Sequence, residues 1–359
     1  MATARRHLVD PAEGGVFHCI SRYVRRAYLC GQDPLTGRCF EHRREWVRDR
    51  IRELAAQFAV DVFAYSVMSN HQHIILGTDP KRAQEWTDVE VARRWLTLFP
   101  GPSGKPGRPP EDSTIQALCQ DWAKLALCRG RLSDVSWFMR CLNEPIARRA
   151  NREDGCTGRF WEERFKCQRL DDAGALLTCM AYVDLNPVRA GLAATPESSD
   201  FTSAQDRSVA MLARRQLAAA PEAAPSPTPA QEEIVAQAHQ AANRDRWLVA
   251  FAPSDEKPAP TSAATWLTGI DETSYLQLLD WTGREIRADK RGHIPASLRP
   301  VLERLDLDVE AWAEHVARYG SLFHRLVGKF NRLHAWAQAK KLDWLHGLRA
   351  ARLLYSQAT

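Results

Sequence analysis

Val67-Met68-Ser69-Asn70-His71-Gln72-His73-Ile74-Ile75-Leu76 is the stretch that decides the fold of this chain. Together with the apolar run at 60–67, it predicts two short buried strands joined by a turn at Ser69-Asn70. Side chains alternate between the two faces of a strand, so His71 and His73 project from the same face. Two neighbouring imidazoles can bind a divalent metal, although a bare His-x-His is more often an inert, hydrogen-bonded pair.

The composition is that of an ordinary globular protein. The chain has 359 residues, 45% of them hydrophobic and 26% charged, and is long enough for two domains. No apolar run reaches the length of a membrane span, and the first residues lack the apolar core of a signal peptide, so we expect a cytoplasmic location and no membrane partner. The nine cysteines are odd in number and form no C-x-x-C pair, which predicts buried thiols.

The formal net charge of +5 is only mildly basic, but the arginines occur in clusters. The clusters are Arg22, Arg25 and Arg26; Arg43, Arg44, Arg48, Arg50 and Arg52; Arg148, Arg149 and Arg152; and Arg159, Arg164, Lys166 and Arg169. Charge runs of this kind are usually solvated faces. The last cluster is interleaved with Phe160, Trp161 and Phe165, which favours contacts with a phosphate backbone and stacking of bases on the aromatic rings.

The order of the predicted elements indicates a fold class. They are a strand at 15–24, a helix at 41–58, the two strands around the histidines, a helix capped by Ser133, a strand at 160–170, and a helix from Asp171 or Asp172 to Leu185. The last helix is expected to stop at Asn186, because Pro187 disfavours helical geometry in the residue before it. A strand, helix, strand, strand order predicts an α/β sandwich with an antiparallel sheet.

The later part of the chain changes character. All nine cysteines lie at or before Cys179, and 218–233 and 254–261 have the composition of flexible linkers. We therefore predict a catalytic domain at 1–205, a linker region with one helix at 206–262, and a helical accessory domain at 263–359. A proline- and glycine-rich insertion is expected at 100–112.

Three segments taken together resemble the single-tyrosine HUH transposases, specifically the REP-associated tyrosine transposases. They are Met68-Ser-Asn-His-Gln-His-Ile74, Gly158-Arg-Phe-Trp-Glu-Glu-Arg-Phe-Lys166 and Ala181-Tyr-Val-Asp-Leu-Asn-Pro-Val-Arg-Ala-Gly-Leu192. The resemblance spans roughly residues 10 to 205, and the order and spacing of the segments are more specific than any one of them. It implies a ferredoxin-like antiparallel sheet sandwiched by helices, an α/β (α+β) fold to which a C-terminal all-α domain would be added.

The resemblance also implies site residues. His71 and His73 match the paired ligands of a divalent metal, Mg²⁺ or Mn²⁺, and Tyr182 matches the nucleophile. Asn186 falls where relatives place a polar third ligand, one helical turn after the tyrosine; other branches use glutamine there, which is one methylene longer. The expected partner is single-stranded DNA that forms hairpins, with a homodimer as a possible assembly. Residues expected to contact DNA are His18, Arg22, Arg25, Arg26, Arg159, Trp161, Arg164, Lys166 and Arg189.

The chemistry follows from these residue types. A divalent ion held by neutral imidazoles neutralises charge on a phosphodiester and polarises phosphorus. Tyr182 would attack in line and form a covalent 5′-phosphotyrosine, which conserves the energy of the broken bond for strand transfer. Two alternatives remain open: a DNA-binding regulator that retains the fold, and a metal-dependent nuclease that forms no covalent intermediate.

Overall fold

The computed structural model describes residues 8–24, 30–33, 37–101, 108–219, 229–251, 263–287, 295–342 and 344–355. The predicted insertion at 100–112 and linker at 218–233 lie partly outside these ranges, and the linker at 254–261 lies wholly outside them. In the described part of the chain no helix is long and apolar enough to cross a membrane.

A five-stranded mixed sheet forms the centre of the molecule. Its strands are β1 (Gly15–Arg22), β2 (Val60–Val67), β3 (His71–Thr78), β4 (Lys166–Leu170) and β5 (Leu326–Val327), in the order β2-β3-β1-β4-β5. Neighbouring strands are antiparallel except β4 and β5, which are parallel. The predicted α/β class is therefore confirmed. The strand predicted at 160–170 begins only at Lys166; before it, Trp161 makes an isolated bridge to Tyr23.

Helices cover both faces of the sheet. In chain order they are α1 (His42–Gln57), α2 (Pro80–Glu85), α3 (Asp88–Leu98), α4 (Asp112–Gln120), α5 (Trp122–Arg131), α6 (Val135–Glu153), α7 (Ala173–Asp184), α8 (Asn186–Arg189), α9 (Ser203–Ala219), α10 (Pro229–Ala242), α11 (Glu272–Arg287), α12 (Arg299–Glu303), α13 (Trp312–Leu322), α14 (Phe330–Ala339) and α15 (Leu348–Leu354). A short 3₁₀ helix, Ala263–Leu267, precedes α11. The linker region predicted at 206–262 to hold one helix contains most of α9 and all of α10.

Two apolar clusters lie on opposite faces of the sheet. The first joins Phe17 and Ile74 to α1 and α6 through residues such as Ile51 and Phe138. The second joins Val16 and Ile75 to α7 and to helices of the C-terminal part. α6 is capped by Asp134, whose carboxylate accepts from the Trp137 amide, and not by Ser133 as expected. An aspartate is at least as good an N-cap as a serine, so the neighbouring residue takes this position.

The helix that carries Tyr182 begins as the sequence predicts. Asp172 Oδ1 accepts from the Ala175 amide at 2.9 Å, which satisfies one of the free N–H groups of the first turn. Its carboxylate also accepts from the Tyr355 hydroxyl at 2.6 Å and from the Lys329 amide at 2.8 Å. One residue therefore caps α7 and fastens two segments of the C-terminal part to it.

The far end of the same helix differs from the prediction. α7 ends at Asp184, and the short helix α8 begins at Asn186, with Pro187 in its first turn. A proline is tolerated in the first turn of a helix because the N–H that it lacks would have no partner there. Pro187 therefore separates two helices and does not end the helical path.

The C-terminal part is not all-helical, and most of its buried apolar residues share a core with α7. A smaller group forms a cluster of its own: Leu326, Leu333, Ala337, Leu345 and Ala351. β5 pairs with β4, with the Arg169 amide donating to the Arg325 carbonyl at 2.8 Å. Leu176 of α7 and Trp312 of α13 belong to the same buried cluster. The domain boundaries at 205 and 262 remain a prediction, but a shared core of this kind argues against independent folding of 263–359.

Candidate functional site

Three histidines meet on one face of the central strands. In the antiparallel register His73 lies opposite Ile20, and His71 lies opposite Arg22. The rings of His71 and His73 have centroids 4.7 Å apart, and the ring of His18 stacks on that of His73 at 5.1 Å. The alternation of strand residues thus brings the predicted pair together, as the sequence indicates.

Hydrogen bonds fix how each imidazole is turned. His18 Nδ1 lies 3.2 Å from the side-chain oxygen of Gln168, and His18 Nε2 lies 2.9 Å from His73 Nδ1. His71 Nδ1 lies 2.5 Å from the side-chain oxygen of Asn70. An amide oxygen only accepts, so His71 Nδ1–H donates a hydrogen bond to Asn70, and Nε2 of that neutral ring carries the lone pair. Most metal-binding histidines donate the N–H of their other ring nitrogen to an oxygen in this way.

All three rings are neutral near pH 7. Burial lowers the pKa of His18 to about 4, although its hydrogen bond to Gln168 acts in the opposite direction. Burial, helped by the charge of Arg22, lowers the pKa of His71 to about 4. Burial also lowers the pKa of His73 well below its ordinary value, and the neighbouring His71 and His18 add to the effect. Neutral imidazole is the form that binds a metal.

Tyr182 packs directly against this group. Its ring meets that of His73 edge-on, with centroids 5.5 Å apart and planes at 90°. The Arg189 guanidinium lies over the same ring at 4.8 Å. α7 therefore brings the predicted nucleophile to the histidines, and α8 brings the cation. Only 9% of Tyr182 is exposed.

Helix α13 covers the tyrosine from the other side. The ring of Tyr319 stacks on that of Tyr182, with centroids 4.9 Å apart and planes at 28°. Gly320 lies so close that a Cβ there would be 3.0 Å from the Tyr182 hydroxyl oxygen. The C-terminal part thus forms one wall of the candidate site.

The donor set fits a divalent ion with two imidazole ligands. His73 Nε2 is buried and has no hydrogen-bond partner. The same is true of Nδ2 of Asn186, which lies one turn beyond Tyr182. Within the described ranges no group of three or more His, Cys, Asp or Glu side chains is arranged to hold a metal ion. A metal site here would therefore use His71, His73 and a neutral oxygen. The predicted source of that oxygen is the Asn186 amide, four residues after Tyr182.

The residues expected to contact DNA separate into groups. His18 is 1% exposed and hydrogen-bonded to His73, so in this structure it has no surface to offer DNA. Arg22 is half-buried opposite His71, with its Nε buried and unpaired. Arg25 and Arg26 lie outside the described residues. Arg159 is exposed.

Three of the remaining residues line a groove of about 1220 Å³. Its lining residues are Leu8, Ser136, Met139, Arg140, Asn143, Glu144, Trp161, Glu163, Arg164, Phe165, Lys166, Cys167, His324 and Arg325. Trp161 is held in place there, because its Nε1–H donates to the Asn143 carbonyl at 2.8 Å and its ring packs on Tyr23 at 4.9 Å. Arg189 lies apart from this groove, on Tyr182. The predicted cluster is thus divided between the groove and the tyrosine.

Gln168 and Tyr319 are the site residues that the sequence analysis missed. Gln168 lies opposite His18 in the β1–β4 register, a placement that becomes visible only once β4 is known to begin at Lys166. Tyr319 comes from a helix assigned to an accessory domain. No sequence motif marks either residue.

Comparisons with known proteins do not assign this chain to a family. No protein-family model matches the chain, and no curated protein matches it. Among solved structures, that of a REP-associated tyrosine transposase bound to a REP hairpin aligns with 64% of this chain and 97% of its own, at 14% identity and a TM-score of 0.30. Such a TM-score does not establish a shared fold.

Proposed function

We propose that this chain is a transposase that cleaves and rejoins single-stranded DNA, with Tyr182 as nucleophile and a divalent metal on His71 and His73. The observation that carries the proposal is the packing of Tyr182 against His73 at 5.5 Å, beside a buried imidazole nitrogen that has no partner. A tyrosine hydroxyl, two neutral imidazoles and a cation over the tyrosine ring are the parts that phosphodiester transfer to tyrosine needs.

Each residue has a definite task in this reaction. The metal, when bound, would neutralise charge on the non-bridging oxygens of the phosphate. Tyr182 Oη would form a bond to phosphorus while the bond from phosphorus to the 3′ oxygen breaks, which leaves a 5′-phosphotyrosine and a free 3′ hydroxyl. Arg189, whose guanidinium lies 4.8 Å from the centroid of the tyrosine ring, would offer a positive charge to the phosphate beside the nucleophile. Reversal on a new 3′ hydroxyl would join strands without ATP.

The architecture supports the ferredoxin-like arrangement that the resemblance implies. The first four strands follow one another as β1-α1-β2-β3, then helices, then β4, and their spatial order is β2-β3-β1-β4 with antiparallel neighbours. That order puts β1 and β3 at the centre, where their side chains meet α7. The α/β class is observed, and the finer ferredoxin-like assignment is part of the proposal.

The groove beside β4 is proposed as an outer contact for DNA, because its lining includes residues of the α6 face of the sheet and Tyr182 packs on the other face. Arg164 and Lys166 would meet phosphates, and Trp161 offers a ring on which a base can stack. Glu163 lies 3.8 Å from Lys166 and Glu144 pairs with Arg140, so phosphates would replace these ion pairs.

One observation favours the alternative of a DNA-binding regulator. Tyr182 lies beneath Tyr319 and Gly320 and is only 9% exposed, so little of the tyrosine is open to an approaching phosphate. A protein that only binds DNA would not need access to the tyrosine. The two functions differ in whether a covalent protein–DNA species forms.

The test is covalent capture. The protein is incubated with Mn²⁺ and a pool of 3′-fluorescent single strands that carry a hairpin with randomised flanks, and is then resolved under denaturing conditions. We expect a fluorescent protein band that disappears with chelator and in Tyr182→Phe. Tyr355→Phe, which removes a different buried hydroxyl, is the matched control and should retain the band. Binding without a covalent band in the wild type would support the regulator.

A further inference from the structure

Four buried side chains from four different elements form a continuous hydrogen-bonded relay. It runs from Tyr319 on α13 to Gln168 on β4, then to His18 on β1 and His73 on β3. The Tyr319 hydroxyl donates to Gln168 Oε1 at 2.8 Å, and the same oxygen lies 3.2 Å from His18 Nδ1. The relay ends at His73 Nε2, which is buried and has no partner.

The positions of the protons along the relay follow from its first acceptor. Since Gln168 Oε1 only accepts, His18 carries its proton on Nδ1 and presents a lone pair on Nε2. His73 must then donate from Nδ1 to His18 at 2.9 Å. His73 Nε2 is thereby left as a lone pair, which is the form that can bind a metal.

Turning the Gln168 amide over would reverse every bond. Its NH₂ group would donate to His18 Nδ1, His18 Nε2–H would donate to His73 Nδ1, and the proton of His73 would move to Nε2. A buried N–H without an acceptor would replace the lone pair, and no metal could bind there. The orientation of one amide thus decides whether His73 can serve as a ligand.

Tyr319 is placed to hold that orientation. Its hydroxyl donates to Gln168 Oε1 at 2.8 Å, and it is fully buried, with its ring stacked on Tyr182. Both donors to that oxygen, Tyr319 and His18, oppose rotation of the amide.

We propose that Gln168 and Tyr319 are positioning residues that set the tautomer of His73 and so make Nε2 available as a ligand. α13 is then a working part of the site and not a separate module. That the ligand is a catalytic metal rests on the proposed function; the tautomer itself does not.

The test reads the tautomer directly, without metal or DNA. The full-length protein is labelled with ¹⁵N-histidine, kept in chelator, and its imidazole nitrogens are recorded by two-bond ¹H–¹⁵N correlation, with His73→Gln to assign the signals. In the wild type we expect the unprotonated nitrogen of His73 to be Nε2. In Gln168→Met it should become a mixture of both nitrogens, and in Tyr319→Phe the fraction protonated on Nε2 should rise.

A matched control separates this role from mere packing. Tyr355→Phe removes a buried hydroxyl that bonds to Asp172 in the same core and should leave His73 unchanged. Tyr319→Phe preserves the ring stack and carries the test if Gln168→Met does not fold. A wild-type His73 protonated on Nε2, or a tautomer unaltered in both variants, would overturn the proposal.

Mn²⁺ titration by calorimetry, again without DNA, supplies a second readout. Removing a group that orients a metal-binding histidine through hydrogen bonds costs about 10- to 100-fold in metal affinity. We expect that loss in Gln168→Met, a smaller one in Tyr319→Phe and none in Tyr355→Phe. If the wild type has the expected tautomer but binds no Mn²⁺, the proposed function fails and the positioning role stands. If Mn²⁺ binds equally to all variants, the positioning role fails and the function stands.

Discussion

Acid should destabilise this protein through the histidines of the site. His18 and His71 have pKa values of about 4 in the native state, against an unfolded value near 6.5. The unfolded chain therefore takes up a proton on each ring as the pH falls through 6.5, while the native state does not. The free energy of unfolding must therefore decrease between about pH 6.5 and 4. Below about pH 4 both states bind the proton, so these two histidines cause no further change.

The size of the effect follows from the two pKa values. One pKa unit corresponds to about 1.4 kcal/mol, so each ring removes about 2 kcal/mol between pH 7 and pH 5. The pKa of His73 is also lowered, so this ring acts in the same direction. Burial raises the pKa of Asp184 and Asp206, which stabilises the native state as the pH falls and partly offsets the loss. A comparison of variants removes that common contribution.

Urea unfolding of the wild type and His18→Asn at pH 7 and pH 5, in chelator, provides the measurement. His18→Asn lowers stability at both pH values, so only the change between them is informative. We expect that change to be about 2 kcal/mol smaller in the variant. Equal pH dependence, within about 0.5 kcal/mol, would show that His18 is not held neutral and would remove the electrostatic basis of the site.

Three further predictions test the packing and the groove. Asp172→Ala should lower the free energy of unfolding by about 3 kcal/mol, from one helix cap and two tertiary hydrogen bonds, whereas Asp171→Ala should cost under about 1 kcal/mol in the same urea titration. Truncation after residue 262 should give an insoluble or non-cooperatively unfolding fragment, because it strips the cover from α7; a soluble, cooperative fragment would restore the two-domain prediction. Arg164→Glu should weaken single-strand binding and reduce its salt slope by about 1, while Arg93→Glu, exposed on α3, should change neither.

The sequence predicts the centre of the site because its signals there are local. The alternation of His71 and His73 on a strand needs only the period of a strand. Asp172 opens the tyrosine helix through an ordinary cap, and the helix then carries Tyr182 to the sheet. Both features, the histidine pair on the strand and the cap of the helix, depend on residues that are two or three positions apart in the sequence.

The parts that the sequence could not give depend on long-range packing. The resemblance places His18 among the DNA contacts, and strand periodicity gives the face of its side chain but not what covers that face; α7 and α13 cover it. The proline-rich linkers predict a separate domain for Tyr319, yet linker composition says nothing of where the next helix docks. β5 consists of only two residues, too few for any period to be read.

The most direct test of the central claim is the mass of one tryptic peptide. Cleavage after Arg169 and Arg189 releases a peptide in which Tyr182 is the only tyrosine. After incubation with Mn²⁺ and the hairpin pool, followed by nuclease digestion, this peptide should carry the added mass of a 5′-nucleotide, with fragment ions that assign it to Tyr182. Cleaved DNA with this peptide unmodified, or with the nucleotide on another residue, would contradict the claim that Tyr182 is the nucleophile.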